Sequence, residues 1–445
     1  MRRIVRVLGS MLIFAGAAAA AAAATYTVTA QGESGPGSIG AAIQSSNASV
    51  GVLDTIEFDL PGTPPFLVML FMGIPTITDP VIIDATTQPG YAGTPLFQIR
   101  QGLGQGPGLI LAATAGGSTI RGLAFADINE GIQIQADGNT IEGCFFGTDV
   151  TGMLDLGNTG MGINILSGDD NLIGGTTAAA KNLISGNNGY GIRILGGSGN
   201  LIRGNLIGTK LNGTEALGNQ IGVSITGGGS DNVVGGTAAG AGNLVSGNTL
   251  GVELAGGSGN LVAGNRIGTD ASGAVDIGNV NGIQANTETG LVVGGTTAAA
   301  RNVISGNGYG LRIGSGDDNS ILGNYIGTDA GGTLPLGNDT GIDLFSSAVT
   351  DTSIGGAGAG EGNVIAFNGV GITNLGLRTA IRANSIHDND ALGIDHGNAG
   401  PSPNDGDFDA YQNFPIIDSV EITAATAVAG GSVQIVGSLE SQNGD

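Results

Sequence analysis

Tryptophan is absent from this 445-residue chain, cysteine occurs once, and Lys and Arg together number 14 against 37 Asp and Glu. Each shortage excludes something. A lone cysteine, Cys144, leaves no intramolecular disulfide framework, so burial and hydrogen bonds must hold the fold. A net charge of −23 repels nucleic acid and anionic lipid, which disfavours partners of both kinds; no nucleic-acid partner is expected. It also repels polyuronate chains unless divalent cations bridge the charges. Aromatic residues make up only 4%, so the commonest sugar-stacking platform is scarce and a simple lectin is disfavoured. Beyond the N-terminus no run is long and apolar enough to cross a bilayer as a helix, and direct membrane insertion is not expected.

The N-terminus itself reads as a secretory signal. Arg2, Arg3 and Arg6 precede an apolar stretch from Val7 to Ala15, and the small-residue run Ala17 to Ala24 offers a cleavage site before Thr25. Cleavage there removes three arginines and no acids, taking the charge from −23 to −26. A secreted, extracellular or cell-surface protein is expected.

Glycine is what the chain has in excess, 87 residues without a Gly-X-Y period, which points to turns rather than collagen. Many of these glycines open one recurring phrase: Gly, an aliphatic, a variable residue, then usually another aliphatic. It reads Gly131-Ile-Gln-Ile134, Gly162-Ile-Asn-Ile165, Gly191-Ile-Arg-Ile194, Gly222-Val-Ser-Ile225 and so on to Gly393-Ile-Asp-His396. The offsets run between 28 and 31 residues until the last, which is 22. A short strand at a fixed period means stacked rungs, each burying its apolar face on its neighbours.

Each rung holds three apolar pieces of a few residues, too short for helices and separated by Gly/Asn turns. Paired in parallel one turn up, they specify an all-β fold: a right-handed parallel β-helix with three sheets and about 30 residues per rung. Two rungs make a longer repeat, marked by Asn139, Asn200, Asn260 and Asn319 in one kind and by Gly-Gly-Thr at 174–176, 235–237 and 294–296 in the other. The turn asparagines tolerate left-handed corners, and their amides can bond the same residue one rung away. Cys144 stands where Asn205, Asn265 and Asn324 stand in sister repeats, which predicts a buried or half-buried bystander thiol. A short helix from Ser38 to Ile43, N-capped by Ser38, is expected to plug the first rung. The resulting division is a signal peptide (1–24), an N-terminal cap with irregular turns (25–115), the regular β-helix (116–398), an acidic closing loop (399–415) and the start of a further β module (416–445).

These residues resemble the bacterial secreted right-handed β-helix repeat proteins of the pectin-lyase-like superfamily, including those with a Cys-Ser-Leu-Arg-Glu-Ala N-terminal motif. Thr25-Tyr-Thr-Val-Thr29 with Ser38-Ile-Gly-Ala-Ala-Ile43 is similar to that opening, although its Cys, Arg and Glu are missing. Ile83-Asp-Ala-Thr-Thr-Gln-Pro-Gly-Tyr91 is similar to the family's Ile-Asp-Gly-Thr-Thr-Gln-Pro-Gly-Tyr run, and Asn404-Asp-Gly-Asp through Gln412-Asn-Phe-Pro415 to its closing motif. The resemblance implies an extracellular or surface β-helix and supplies no established reaction.

The variable position of the recurring phrase points outward, because its neighbours point into the core. It gives a polar stripe that includes Gln133, Asn164, Arg193, Ser224, Glu253, Gln284, Arg312, Asp343, Thr373 and Asp395. The resemblance implies that a sugar-chain groove would lie along it, with Arg312 as base and acids such as Glu253 and Asp343 holding calcium against a uronate. One Arg beside one Asp is more economically an exposed ion pair of small energy.

Gly168-Asp-Asp-Asn171 and Gly316-Asp-Asp-Asn319 echo the paired carboxylates of polygalacturonase-type hydrolases. Sister turns read Gly-Ser-Asp-Asn and Gly-Ser-Gly-Asn, however, and the companion motifs are absent, so turn chemistry is the expectation. Asp149, Asp270 and Asp329, replaced by Lys210 in one copy, are likewise expected to be turn residues. Past the last rung stand His387, Asp388, Asp390, Asp395 and His396, then Asp405, Asp407 and Asp409 at alternate positions. That spacing suits a structural Ca²⁺; no cofactor is otherwise required. The expected function is a monomeric scaffold or adhesin-like rod that binds polysaccharide or cell-envelope glycans, with a polysaccharide lyase or glycoside hydrolase as the alternative.

Overall fold

The computed structural model describes residues 22–102 and 106–396. They form a parallel β-helix of about 12 turns with about 29 residues per turn. Three long sheets run its length, of 13, 12 and 11 strands, and every strand pairs in parallel with its equivalent one rung away. Ile192 pairs with Val223, and Val223 with Val252, as the repeat requires. With strands about 4.8 Å apart, the eleven-stranded third sheet is roughly 50 Å long.

The rung explains the phrase. Ile192, Ile194, Val223 and Ile225 point inward and are buried, each such side chain contributing about 1.5–3 kcal/mol relative to exposure. The glycine before them is a close-approach residue: a Cβ on Gly222 would stand 2.6 Å from the carbonyl oxygen of Gly251 in the next rung. Any other residue would push the rungs apart.

Corners are sealed by asparagine ladders. At the corner between the first and second sheets the ladder runs through Asn182, Asn205, Asn243 and Asn265 and on to Asn384. A second ladder, from Asn158 to Asn389, lies between the second and third sheets. A third, from Asn139 to Asn260, lies between the third and first. In each, one amide oxygen accepts both the backbone N–H and the Nδ2 of the rung before it. Backbone groups that the turns would orphan are thereby satisfied without water.

The near-constant period hides an alternation. Asn182 and Asn205 are 23 residues apart, whereas Asn205 and Asn243 are 38 apart. One kind of rung puts its extra residues between the first and second sheets (175–181, 236–242). The other puts them between the second and third (149–157, 210–218). Loops of the latter kind bond to one another across two rungs, Leu211 N–H to Gly152 O (3.0 Å) and Ala271 N–H to Gly213 O (2.9 Å). They also cover an outward apolar column on the second sheet: Phe145, Leu183, Leu206 and Leu244, with Val150 and Leu211 packed on it.

The N-terminal plug is present as Ile39–Asn47. Ser38 Oγ accepts the Ala41 N–H at 3.1 Å, and Ile39, Ala42 and Ile43 face the first rung. Residues 1–21 of the expected signal, the closing loop 399–415 and the segment 416–445 lie outside the described residues.

Cys144 heads the first-to-second-sheet ladder, its N–H bonded to Asn182 Oδ1 at 2.9 Å. It is free and buried, and burial pushes its thiol up to about 12. The thiolate that reagents attack is therefore scarce as well as inaccessible. Native protein should leave Cys144 unmodified by iodoacetamide at pH 8, with labelling only as fast as the coil opens. Rapid native labelling would contradict this placement.

Candidate functional site: the outer face of the third sheet

The variable positions form one unbroken column. Gln133, Asn164, Arg193, Ser224 and Glu253 are successive register partners, and Gln284, Arg312, Asp343, Thr373 and Asp395 continue them. Strand pairing fixes their backbone spacing, so side chains one rung apart can touch. They do. Ser224 Oγ donates to Glu253 at 2.7 Å, Asn164 Nδ2 to Glu130 at 3.2 Å, and Arg312 Nε to Asp343 at 3.0 Å.

The Arg312–Asp343 pair departs from the exposed ion pair expected of the sequence. Asp343 is only 6% exposed, and Arg312 lies over the Tyr309 ring at 4.5 Å and the Phe345 ring at 4.2 Å. Two aromatic side chains beside the column pack on the guanidinium. Burial pushes the Asp343 carboxyl above the usual carboxylate range, and the Arg312 hydrogen bond and charge offset that only in part. A base must meet a substrate proton, and this guanidinium already contacts two rings and donates its Nε–H to Asp343. Arg193 stands over Tyr190 at 5.5 Å and has no acidic partner among the described residues. Tyr190, Tyr309 and Phe345 were not in the sequence-derived stripe. The signal was present: Tyr stands immediately before the phrase in both arginine-bearing rungs.

In the Asp-Asp turns the second acid sits at a sharp corner. Asp170, Asp231 and Asp318 adopt φ of 54–56°, and Gly199 and Gly259 at the equivalent corner adopt 67° and 65°. These are left-handed corner residues, for which Asp is tolerated and Gly is easiest.

Asp149, Asp270 and Asp329 close their hairpins. Asp149 Oδ1 accepts the Leu154 and Met153 N–H groups, and Asp270 and Asp329 accept their equivalents. In the copy without the acid, Asn212 Oδ1 takes the Thr214 N–H and Lys210 pairs with Glu215 at 2.5 Å. The job is conserved in geometry while the residues change.

For Asp149 and Asp270, burial pushes upward, but the backbone and hydroxyl donors outweigh it; for Asp329 the Leu334 N–H dominates. All three are held below the ordinary value. A depressed carboxylate contributes stability above its unfolded pKa, about 3.9, and loses it as pH falls through the folded value. Amide exchange at Leu154, Val275 and Leu334 should accelerate below about pH 4 relative to Thr214, whose acceptor Asn212 does not titrate. Equal behaviour of all four would contradict the assignment.

Of the expected acidic cluster, His387 Nδ1 lies 2.8 Å from Asp388, and His396 contacts Asn374 at 3.4 Å. Burial pushes His396 below the ordinary histidine value against the pull of Asp395. Among the described residues no three His, Cys, Asp or Glu side chains are grouped to hold a metal ion. Asp405, Asp407 and Asp409 lie outside those residues.

One functional-looking group escaped the sequence. Glu288 is fully buried and accepts the Gly257 N–H and the Asn260 Nδ2, both at 2.8 Å. Leu291 replaces the ladder asparagine of that rung, and Glu288 accepts the Asn260 Nδ2 that the missing amide would have accepted. Substitution of an Asn by Leu in a series of corner asparagines was the available signal.

The geometry defines the chain as a parallel β-helix protein with a polar, aromatic-flanked outer column. No family model matches it, and no curated protein does. Among solved structures it is similar to the A-module of the mannuronan C-5 epimerase AlgE6 of Azotobacter vinelandii (14% identity, TM-score 0.40, 84% of this chain and 99% of that one). It is also similar to a periplasmic alginate epimerase (14%, 0.33, 77% and 71%) and to pectate lyase Pel9A (15%, 0.29, 82% and 80%). At such identities the likeness is one of coil architecture. No helix among the described residues is long and apolar enough to cross a membrane.

Proposed function

We propose that this protein is an extracellular β-helix scaffold that binds a glycan along the outer face of its third sheet and does not transform it. One observation carries the reading. The Tyr190–Arg193 pair and the Tyr309–Arg312–Phe345 cluster stand four rungs apart on one face, with Ser224, Glu253 and Gln284 between them. At about 4.8 Å per rung that is about 19 Å, the span of a short oligosaccharide. Rings at each end offer surfaces for sugar C–H faces, and the column between them offers hydroxyl partners.

The alternative, a lyase or hydrolase, is favoured by the presence of Arg312, Asp343 and Glu253 on that same face. Against it stand the bonds that already occupy all three. A glycan array probed with the mature chain tests the proposal. Tyr190→Ala with Tyr309→Ala should lower affinity for the captured glycan at least tenfold, about 1.4 kcal/mol, with the melting temperature little changed. Undiminished binding by the double variant would move the site elsewhere.

The acidic run Asp405, Asp407 and Asp409 is proposed to hold a structural calcium. Removal with EDTA should then lower the melting temperature, and restoration with calcium should recover it. A melting temperature indifferent to chelator would refute it.

A further inference from the structure

The first sheet turns an aliphatic column outward. Leu172, Leu201, Val233, Leu261 and Val292 are successive register partners on its outer face, and each is half-buried. The repeat does not require them. The same column holds Thr119 and Thr140 before this stretch and Ser320 and Ser353 after it, as a solvated strand face favours. The outward column beside it is flat, with Gly174, Gly235, Ala263 and Gly294 around one long side chain, Arg203. Over these rungs the first sheet, the second sheet and the corner between them carry Lys181, Arg203, Arg266 and Arg301 and no acid, in a chain of net charge −23.

Opposite that face, at the corner between the second and third sheets, stands the ridge of hairpins. Leu154, Glu215, Val275 and Leu334 hold the same place in it, each accepting through its carbonyl the N–H of the residue that opens its hairpin. Leu154, Val275 and Leu334 are 62%, 56% and 60% exposed. Bare aliphatic side chains repeated at one position of successive loops make a contact surface. The charges of ridge and face also correspond. Arg203 is the charged residue of the two outward columns over these rungs, and Glu215 is the charged residue at the tip position. Both belong to one rung, because Leu201–Arg203, Leu206–Ile207 and the hairpin 210–218 follow one another. Leu261 and Val275 share a rung in the same way.

We propose that copies of this chain associate side by side, the hairpin ridge of one lying on the first sheet of the next with their rungs level. A sideways shift of the coil then sets Glu215 of one copy against Arg203 of its neighbour, and Val275 against Leu261. Opposed charge lets copies of a strongly acidic chain meet on these two surfaces and on no like-charged pair. Ridge and face differ, so each contact leaves one of each free, and the association builds open rows rather than closed pairs. A polyanion would answer Arg203 but leave both aliphatic rows bare. The monomer expected from the sequence is the dilute limit of this assembly, and the third-sheet column takes no part in it.

Sedimentation velocity of the mature chain over a concentration series tests this. The wild type should gain mass with concentration, past the dimer. Arg203→Glu alone, and Lys210→Glu/Glu215→Lys alone, which keeps the hairpin's own ion pair, should melt like the wild type and associate about tenfold more weakly or worse. Their equimolar mixture should recover wild-type association, because every face then meets a hairpin of opposite charge. Leu201→Thr/Val233→Thr/Leu261→Thr, which writes in the residue natural at Thr140, should also weaken association about tenfold. Tyr190→Ala/Tyr309→Ala should associate as the wild type does. A mixture that fails to restore association, or growth that stops at a dimer, would overturn the proposal. So would a wild type that stays monomeric to its solubility limit, including one that then binds dextran sulfate through Arg203, which would give the face to a polyanion.

Discussion

Asn243→Leu lowers the stability of the coil by about 3–5 kcal/mol, although leucine is of similar size and more apolar. Asn243 Oδ1 accepts the Asn205 N–H at 2.9 Å and the Asn205 Nδ2 at 3.0 Å. Its own Nδ2 donates to Ile202 O at 2.8 Å and to Asn265 Oδ1 at 3.0 Å. Leucine orphans two donors of Asn205 and a carbonyl of Ile202, all buried, at about 1–3 kcal/mol each. Leucine's transfer gain offsets part of that. The control is Asn384→Leu at the half-buried end of the same ladder, where water can replace the amide and the loss should be below about 1.5 kcal/mol. Urea midpoints read the difference. Because each rung contacts only its neighbours, the defect should spread locally, as faster amide exchange on adjacent rungs rather than uniformly. Equal destabilisation by the two variants would show that the ladder's bonds are not what seals the corner.

Arg312→Ala is the second large effect, about 2–3 kcal/mol, and it is a loss of stability rather than of turnover. The substitution removes the partner of a carboxylate that is 8% exposed at its side chain, and deleting one member of such a pair leaves an uncompensated charge. Arg312 itself keeps 32% of its side chain in solvent, which places the cost below that of a fully buried pair. The double variant Arg312→Ala/Asp343→Asn should recover at least half the loss. A pH dependence follows with a definite sign. Burial already raises the Asp343 carboxyl, and loss of Arg312 raises it further, so the folded single variant binds a proton that the unfolded chain releases. Its deficit should therefore shrink as pH falls toward the unfolded value of about 3.9. A deficit that grows on acidification would contradict the burial of Asp343.

Much of the coil was legible because its determinants are local and repeated. The phrase from Gly131 to Asp395 gave period, strand and inward residues together, and Asn at most of the sharp corners gave the ladders. The position of Cys144 among corner asparagines placed it correctly for the same reason. What stayed hidden depends on neighbours that no single rung contains. Whether Arg312 is a free base or a clamped cation is decided by Phe345 on the next rung and Tyr309 on its own. Glu288 compensates a missing asparagine through a side chain three positions away, which a register of equivalent positions does not reveal.

The claim on which the functional account stands is that the column from Arg193 to Asp343 holds a glycan and leaves its bonds intact. Incubating the mature chain with insoluble plant, algal and bacterial polysaccharides, then assaying one supernatant both for depleted protein and for released saccharide ends, measures both halves at once. Depletion by at least one polysaccharide is expected, reduced in Tyr190→Ala/Tyr309→Ala, with no ends released. Ends released by the wild type, and abolished in Arg312→Ala while that variant remains folded, would contradict it.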